Sequence, residues 1–151
     1  MGLMRELSNK DKSRLIGDVV LLAAASKTHR GFPVADVVEI LLPPVDLNQF
    51  RIYHDQNNRP IGLVTWAWMT QAVYDRYRAG RVVLGANEWS GGDLLVMTDF
   101  IAPYGHAKGI IQDLRGNIFP DETAYVLRFD TAGKPRIKAH EWRGVNVGKV
   151  N

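Results

Sequence analysis

Residues 94–101 read Leu-Leu-Val-Met-Thr-Asp-Phe-Ile, a mostly apolar run with the length and composition of a buried strand. Ala102-Pro103-Tyr104-Gly105 follows and breaks it. One acid, Asp99, stands inside the run. A carboxylate is costly to bury unless a partner is supplied, so the rest of the chain has to bring one to this strand. A histidine is the obvious long-range partner, and the chain has four: His29, His54, His106 and His140. Of these, His29 lies directly after an apolar, helix-patterned segment, in Ala25-Ser26-Lys27-Thr28-His29-Arg30-Gly31-Phe32-Pro33-Val34.

At 151 residues, 46% hydrophobic and 23% charged, the chain has the proportions of an ordinary globular protein with one core. A single domain over residues 1–151 is expected, with residues 1–10 a candidate for disorder. No apolar run reaches the roughly 20 residues that span a bilayer. Leu15 to Ala25 is too short and is interrupted by Asp18. The N-terminus lacks the charged-then-apolar layout of an export signal, and a cytoplasmic location is the default expectation. The absence of cysteine excludes disulfides, thiolate catalysis and cysteine-ligated metals. The four histidines lack ligand-type spacing, so no metal is expected. The net charge of +3 gives no more than mild support to nucleic-acid binding, which is not expected. Basic residues gather at Arg76, Arg78 and Arg81 and again at Lys134, Arg136, Lys138, Arg143 and Lys149. Such patches suit an acidic protein or a phosphate. They also suit plain solvated surface.

Periodicity and breakers give a coarse order of elements. Helices are expected over Lys10–Ala25 (capped by Asn9 or Asp11, with Leu15, Val19 and Leu22 on one face) and over Pro33–Leu42, where Pro43-Pro44 would stop the second. Gln49–His54 and Pro60–Trp68 read as strands joined by a turn at Asp55–Arg59. Thr70–Ala79 reads as a helix ended by Gly80, Leu94–Ile101 as the buried strand, and His106–Ile118 as a helix. Thr123–Asp130 and Pro135–Trp142 read as a hairpin around Thr131–Lys134. The fold class is α+β, a mixed and mostly antiparallel sheet flanked by helices.

The two segments around His29 and Asp99 resemble the RTX toxin-activating lysine acyltransferases. That family carries Ser-x-x-His-Arg-x-x-Pro-Val, which here is Ser26, His29, Arg30, Pro33 and Val34. It also carries Trp-x-Ser-Gly-Asp leading into Asp-aromatic-Ile-Ala-Pro-aromatic-Gly. Here that is Trp89 to Gly105, with one glycine shifted. A third match is Phe119-Pro120-Asp121-Glu122, followed by a strand containing Arg128. The resemblance runs over roughly residues 14–144. It departs from the family at Lys27-Thr28, where Pro-Leu is common, and at Asp93-Leu94-Leu95-Val96, which lacks the usual basic residue and tryptophan.

The resemblance implies a GNAT-like acyltransferase fold and a catalytic set of His29, Asp99 and Ser26. It implies no bound cofactor. The co-substrate would be acyl-acyl carrier protein, a phosphopantetheine thioester, and the acceptor internal lysines of an RTX-type protoxin. The chemistry is consistent with those residue types. A lysine ammonium, with a reference pKa of about 10.4, must lose a proton before it attacks. A histidine can take that proton near neutrality, and a carboxylate on its other ring nitrogen fixes the tautomer. An acyl-imidazole on His29 remains an alternative route. Ser26 could donate to a carbonyl oxygen, hold the His29 loop, or simply end its helix. Asp99 could instead be satisfied by backbone amides or by Arg128.

For the donor, the start of the helix near His106 offers free amides to an anion. Gly105, His106, Lys108 and Gly109 are the candidate binding residues, and the loop suits a single phosphate better than a pyrophosphate. Two further readings stand beside this one. One is a GNAT-like enzyme using acyl-coenzyme A on another amine. The other is a non-catalytic module, in which His29 and Asp99 would lie far apart or be blocked. A homodimer is a candidate assembly. Acyl length and the target lysines are not written in the sequence.

Overall fold

A computed structural model describes residues 9–80, 82–128 and 139–149. The first element, helix α1 (Asn9–Ala25), carries both expected capping residues inside its first turn. Its apolar stripe is buried as expected, with Val19 and Leu22 at 1% exposure or less. The second helix does not stop at the proline pair. It runs as α2 (Val34–Asp36), a π-turn (Val37–Leu41) and α3 (Leu42–Asp46). Prolines lack the N–H an α-helix needs and clash with the carbonyl four residues back. Here the Leu42 N–H donates to Val37 O, five residues back. That wider turn makes room for Pro43 and Pro44 as the opening turn of α3.

Strands β1 (Phe50–His54) and β2 (Pro60–Met69) form the first hairpin. Its turn is built by Asp55, whose carboxylate accepts from the Asn57 and Arg59 amides at 2.9 Å each. Asn58 takes the left-handed conformation there, with φ 61°. Helix α4 (Gln71–Ala79) follows, with Thr70 accepting from the Val73 amide at its start. A 3-10 turn (Ala86–Glu88) leads to β3 (Leu94–Ile101), whose bounds are those the sequence pattern predicts. Helix α5 (Ala107–Asp113) passes into a second π-turn (Leu114–Ile118), and β4 (Thr123–Val126) and β5 (His140–Arg143) close the order. Both closing strands are shorter than predicted. The expected turn Thr131–Lys134 and the segment 129–138 lie outside the described residues, as do residues 1–8.

The five strands lie in the order β1-β2-β3-β4-β5. All neighbours are antiparallel except β3 and β4, which are parallel. This is the mixed, mostly antiparallel sheet expected, and it is consistent with a GNAT-like arrangement. The odd residues of β2 face α1 and α4. Leu63 packs with Val19 and Leu22, and Ala67 and Met69 pack with Tyr74 and Tyr77. The even residues Val64 and Trp66 face Ile110 and Leu114 of the α5 segment. Tyr53 ties that segment to β1 by donating to Asp113 at 2.6 Å, which with Asn117 holds the Asp113 carboxyl below its usual range.

The segment Trp89–Gly92 docks on the end of β2. Trp68 N donates to Trp89 O at 2.8 Å and Gly92 N to Trp68 O at 3.0 Å. The Gly92 backbone comes so close that a Cβ there would sit 2.1 Å from the Met69 carbonyl carbon. Gly92→Ala should therefore cost about 2 kcal/mol of folding stability. Chemical denaturation reads this directly, and an unchanged midpoint would contradict the close approach.

Candidate functional site

Three residues from two distant segments meet on the α1 side of the sheet. After α1 ends, the chain coils tightly: the His29 and Arg30 amides both donate to Ser26 O, and the Phe32 amide donates to His29 O. This turn carries His29 back under the helix, against the ring of Phe32 at 5.1 Å between centroids. The other contributor is β3. Thr65 of β2 pairs with Asp99, yet its neighbour Trp66 pairs with Met97, so Thr98 is an extra residue. That is a β-bulge, and it resets which face the later side chains take. Before it, Leu95 and Met97 face α5. Beyond it, Phe100 faces α5 and Ile101 faces α1. Asp99, opposite Thr65, is thereby aimed at the α1 side.

There Asp99 Oδ1 lies 2.7 Å from His29 Nε2, and Ser26 Oγ lies 2.7 Å from His29 Nδ1. The His29 and Asp99 side chains are 4% and 1% exposed. A carboxylate accepts, so the Nε2 hydrogen is the one donated to Asp99. Nδ1 then carries the lone pair and accepts from the Ser26 hydroxyl. The order Ser26, His29, Asp99 is a continuous hydrogen-bond relay. His29 and Asp99 do not lie apart, which is one of the two arrangements expected of a non-catalytic module. Asp99 Oδ1 bonds to His29, and Arg128 is an exposed residue lining the adjacent cleft. Of the other histidines, His54 pairs with Asp18 at 2.8 Å, and His140 is exposed on β5.

The relay faces a cleft of about 300 Å³ where β3 and β4 part company. Their parallel pairing ends at Met97 with Val126, while β3 runs on to Ile101. One wall is Thr98, Asp99 and Phe100; the other is Val126, Leu127 and Arg128; Ala107 and Ile111 of α5 and Trp142 of β5 complete it. Of the loop residues expected to bind a phosphate, Gly105 adopts φ 90° and His106 begins α5 without a side-chain cap. His106 lines a separate surface groove with Tyr104, Leu21 and Arg59, not the His29 cleft. Lys108 and Gly109 are exposed in the first turn of α5. Among the described residues no three His, Cys, Asp or Glu side chains gather into a metal site, and no helix is long and apolar enough to cross a membrane.

Sequence reasoning missed the hydroxyl pair beneath this site. Thr65 and Thr98 meet at 2.6 Å, both buried, and Tyr77 donates to Thr98 O at 3.2 Å. The available signal was a threonine in each of two mostly apolar strands. The first basic cluster is partly committed: Arg76 pairs with Glu88, and Arg78 stacks over Tyr74 at 5.7 Å. The Gly85 amide, and then Arg76, hold the Glu88 carboxyl below its usual range. In the second, Arg143 lies 3.5 Å from Glu141. Arg81, Lys134, Arg136 and Lys138 lie outside the described residues.

The profile of the RTX toxin acyltransferase family matches residues 8–143. The chain belongs to that family. It is 34% identical over 106 residues to the lysine-acyltransferase RtxC of Vibrio cholerae, covering 70% of this chain and 69% of the relative. It is 29% identical over 136 residues to a protein-lysine myristoyltransferase, HlyC, of Escherichia coli, covering 89% and 76%. An uncharacterized protein of Synechocystis sp. is 37% identical over 127 residues, covering 83% and 86%. In this family member the quoted motifs divide by role. Ser26, His29 and Asp99 form the relay, whereas Trp89 to Gly92 is architectural. Gln49 donates to the Trp66 and Trp89 carbonyls at 3.0 Å each and accepts from Ser90 at 2.5 Å, locking that loop to β1 and β2. Phe119 of the third motif packs edge-on against Trp66 at 4.9 Å.

Proposed function

We propose that this protein transfers a fatty acyl group from acyl carrier protein to internal lysine side chains of an RTX-type protoxin, activating it. One observation carries the reading: a Ser26–His29–Asp99 relay, with His29 and Asp99 buried, opening on a cleft between parting strands. The names of the relatives, lysine acyltransferases and myristoyltransferases, support the reaction class.

His29 acts as general base through Nδ1. The acceptor ammonium gives its proton to Nδ1, directly or through the Ser26 hydroxyl. The free amine attacks the thioester carbon, the carbon–sulfur bond breaks, the imidazolium returns its proton to the departing thiolate, and the ring, neutral again, takes the second proton from the former amine nitrogen and releases it to solvent. The amide and the free thiol are the products. Asp99, on Nε2, holds the tautomer and stabilises the imidazolium while it exists. This route is favoured over an acyl-imidazole because both ring nitrogens are engaged, one by a buried carboxylate and the other by a hydroxyl.

The phosphopantetheine arm would enter the cleft from the Arg128 side. Its phosphate would fall to Lys108 and Gly109, exposed in the first turn of α5 next to Ala107 of the cleft wall, rather than to Gly105 and His106. An acidic carrier protein would meet Arg128, the basic residue that the described lining of the cleft contains. The test is intact-mass analysis of a protoxin fragment incubated with this protein and acyl-acyl carrier protein or acyl-coenzyme A. Acyl adducts on lysine should form with the carrier-protein donor and be lost with His29→Ala. Equal use of acyl-coenzyme A would move the donor assignment to an ordinary GNAT-like enzyme, and no adduct from either donor would overturn the reading.

A further inference from the structure

The cleft beside His29 reaches both faces of the sheet, and its far end has no part in proton transfer. Asp99 and Phe100 are neighbours beyond the bulge, so their side chains leave β3 on opposite faces. Asp99 points to His29 on the α1 side, and Phe100 points to the α5 side. There Phe100 meets Trp142 edge-to-face, with centroids 5.3 Å apart and planes at 73°. Trp142 comes from β5, opposite Ala124. The two rings thus span β4 and close the cleft on the face away from the relay. Neither ring is fully buried, and the wall between them and the relay is apolar, made by Ala107, Ile111 and Val126. A polar substrate gains nothing from such a wall. A linear hydrocarbon does.

We propose that a saturated acyl chain lies in this cleft, with its thioester carbon at His29 and its methyl end against the Phe100–Trp142 pair, so that Trp142 sets the longest chain accepted. The inference rests on the acyl-transfer reading above and deepens it by naming what selects the acyl group. A large rigid ring at the end of an apolar slot acts as a stop, because every further methylene has to displace it. Chains that fall short leave apolar wall in water.

The experiment compares kcat/KM for acyl carrier protein charged with octanoyl, lauroyl, myristoyl or palmitoyl groups, read by intact mass of the acceptor. A newly buried methylene is worth about fourfold. Trp142→Ala should therefore raise the palmitoyl-to-octanoyl ratio by about tenfold or more. Ile111→Phe, which fills the same slot from α5, should lower that ratio by a similar factor. General destabilisation lowers all chain lengths together and leaves the ratio where it was. A ratio within about twofold of the parent in an active Trp142→Ala protein would overturn the inference. If that variant fails to fold, an unchanged ratio in Ile111→Phe does the same. Those results leave the acyl-transfer reading standing, whereas absence of transfer by the parent protein from every donor would remove both.

Discussion

His29→Ala is expected to lower lysine acylation on the order of 10³-fold or more, the upper part of the range for a lost general base. The acceptor amine is almost wholly protonated at neutral pH, and no other described histidine reaches the cleft to take over. His54 is held by Asp18, and His140 stands exposed on β5. The same change removes the Nε2 donor from a carboxylate that is 1% exposed. Breaking a buried pair on one side costs about 3 kcal/mol or more, so the variant should also unfold at lower denaturant. His29→Gln separates the two effects. Its amide can still donate toward Asp99, so stability should largely return while the rate does not. The measurements are intact-mass rates beside denaturation midpoints. Near-parental acylation by either variant would end the assignment of His29 as the base.

Much of this arrangement is legible in the sequence, for identifiable reasons. A lone acid in an apolar strand is a costly feature, so it announces that a partner exists, and the bounds of β3 follow from the apolar run and the Ala-Pro-Tyr-Gly stop. The choice of His29 as that partner leaned on the family resemblance, because nothing in periodicity distinguishes it from His54. What could not be read are the features that depend on how strands and helices meet. Strict alternation would place Asp99 on the same face as Leu95 and Met97. Only the extra residue Thr98, visible once β2 and β3 are paired, turns it toward α1. Pro43-Pro44 read as a stop because local rules penalise proline inside a helix, whereas a π-turn before the pair lets the helix continue. The role of the Trp89–Gly92 motif is not visible from its place ahead of Asp99 in the chain. Its side chains and close backbone approach bind the loop to β1 and β2.

Asp99→Asn should reduce kcat on the order of 10²-fold or more while leaving KM for the acyl donor nearly unchanged. The side chains are almost the same size, so the strand, the bulge and the neighbouring cleft wall should persist. The electrostatics change in two ways. An amide oxygen turned toward Nε2 keeps the tautomer but stabilises the imidazolium less than a carboxylate does. An amide NH₂ turned toward Nε2 is worse, because it demands a lone pair there. The ring hydrogen then moves to Nδ1, which becomes a donor to Ser26 Oγ and can no longer accept the acceptor's proton. Nitrogen-15 chemical shifts of the His29 ring report which nitrogen carries the hydrogen, independently of rate. In the parent protein the hydrogen should reside on Nε2, and the variant should show a population with it on Nδ1. A variant that retains parental kcat would show that the Asp99 carboxylate is only a structural partner of His29. A parent protein with the hydrogen on Nδ1 would instead overturn the direction of the relay, since Asp99 would no longer be accepting from the ring.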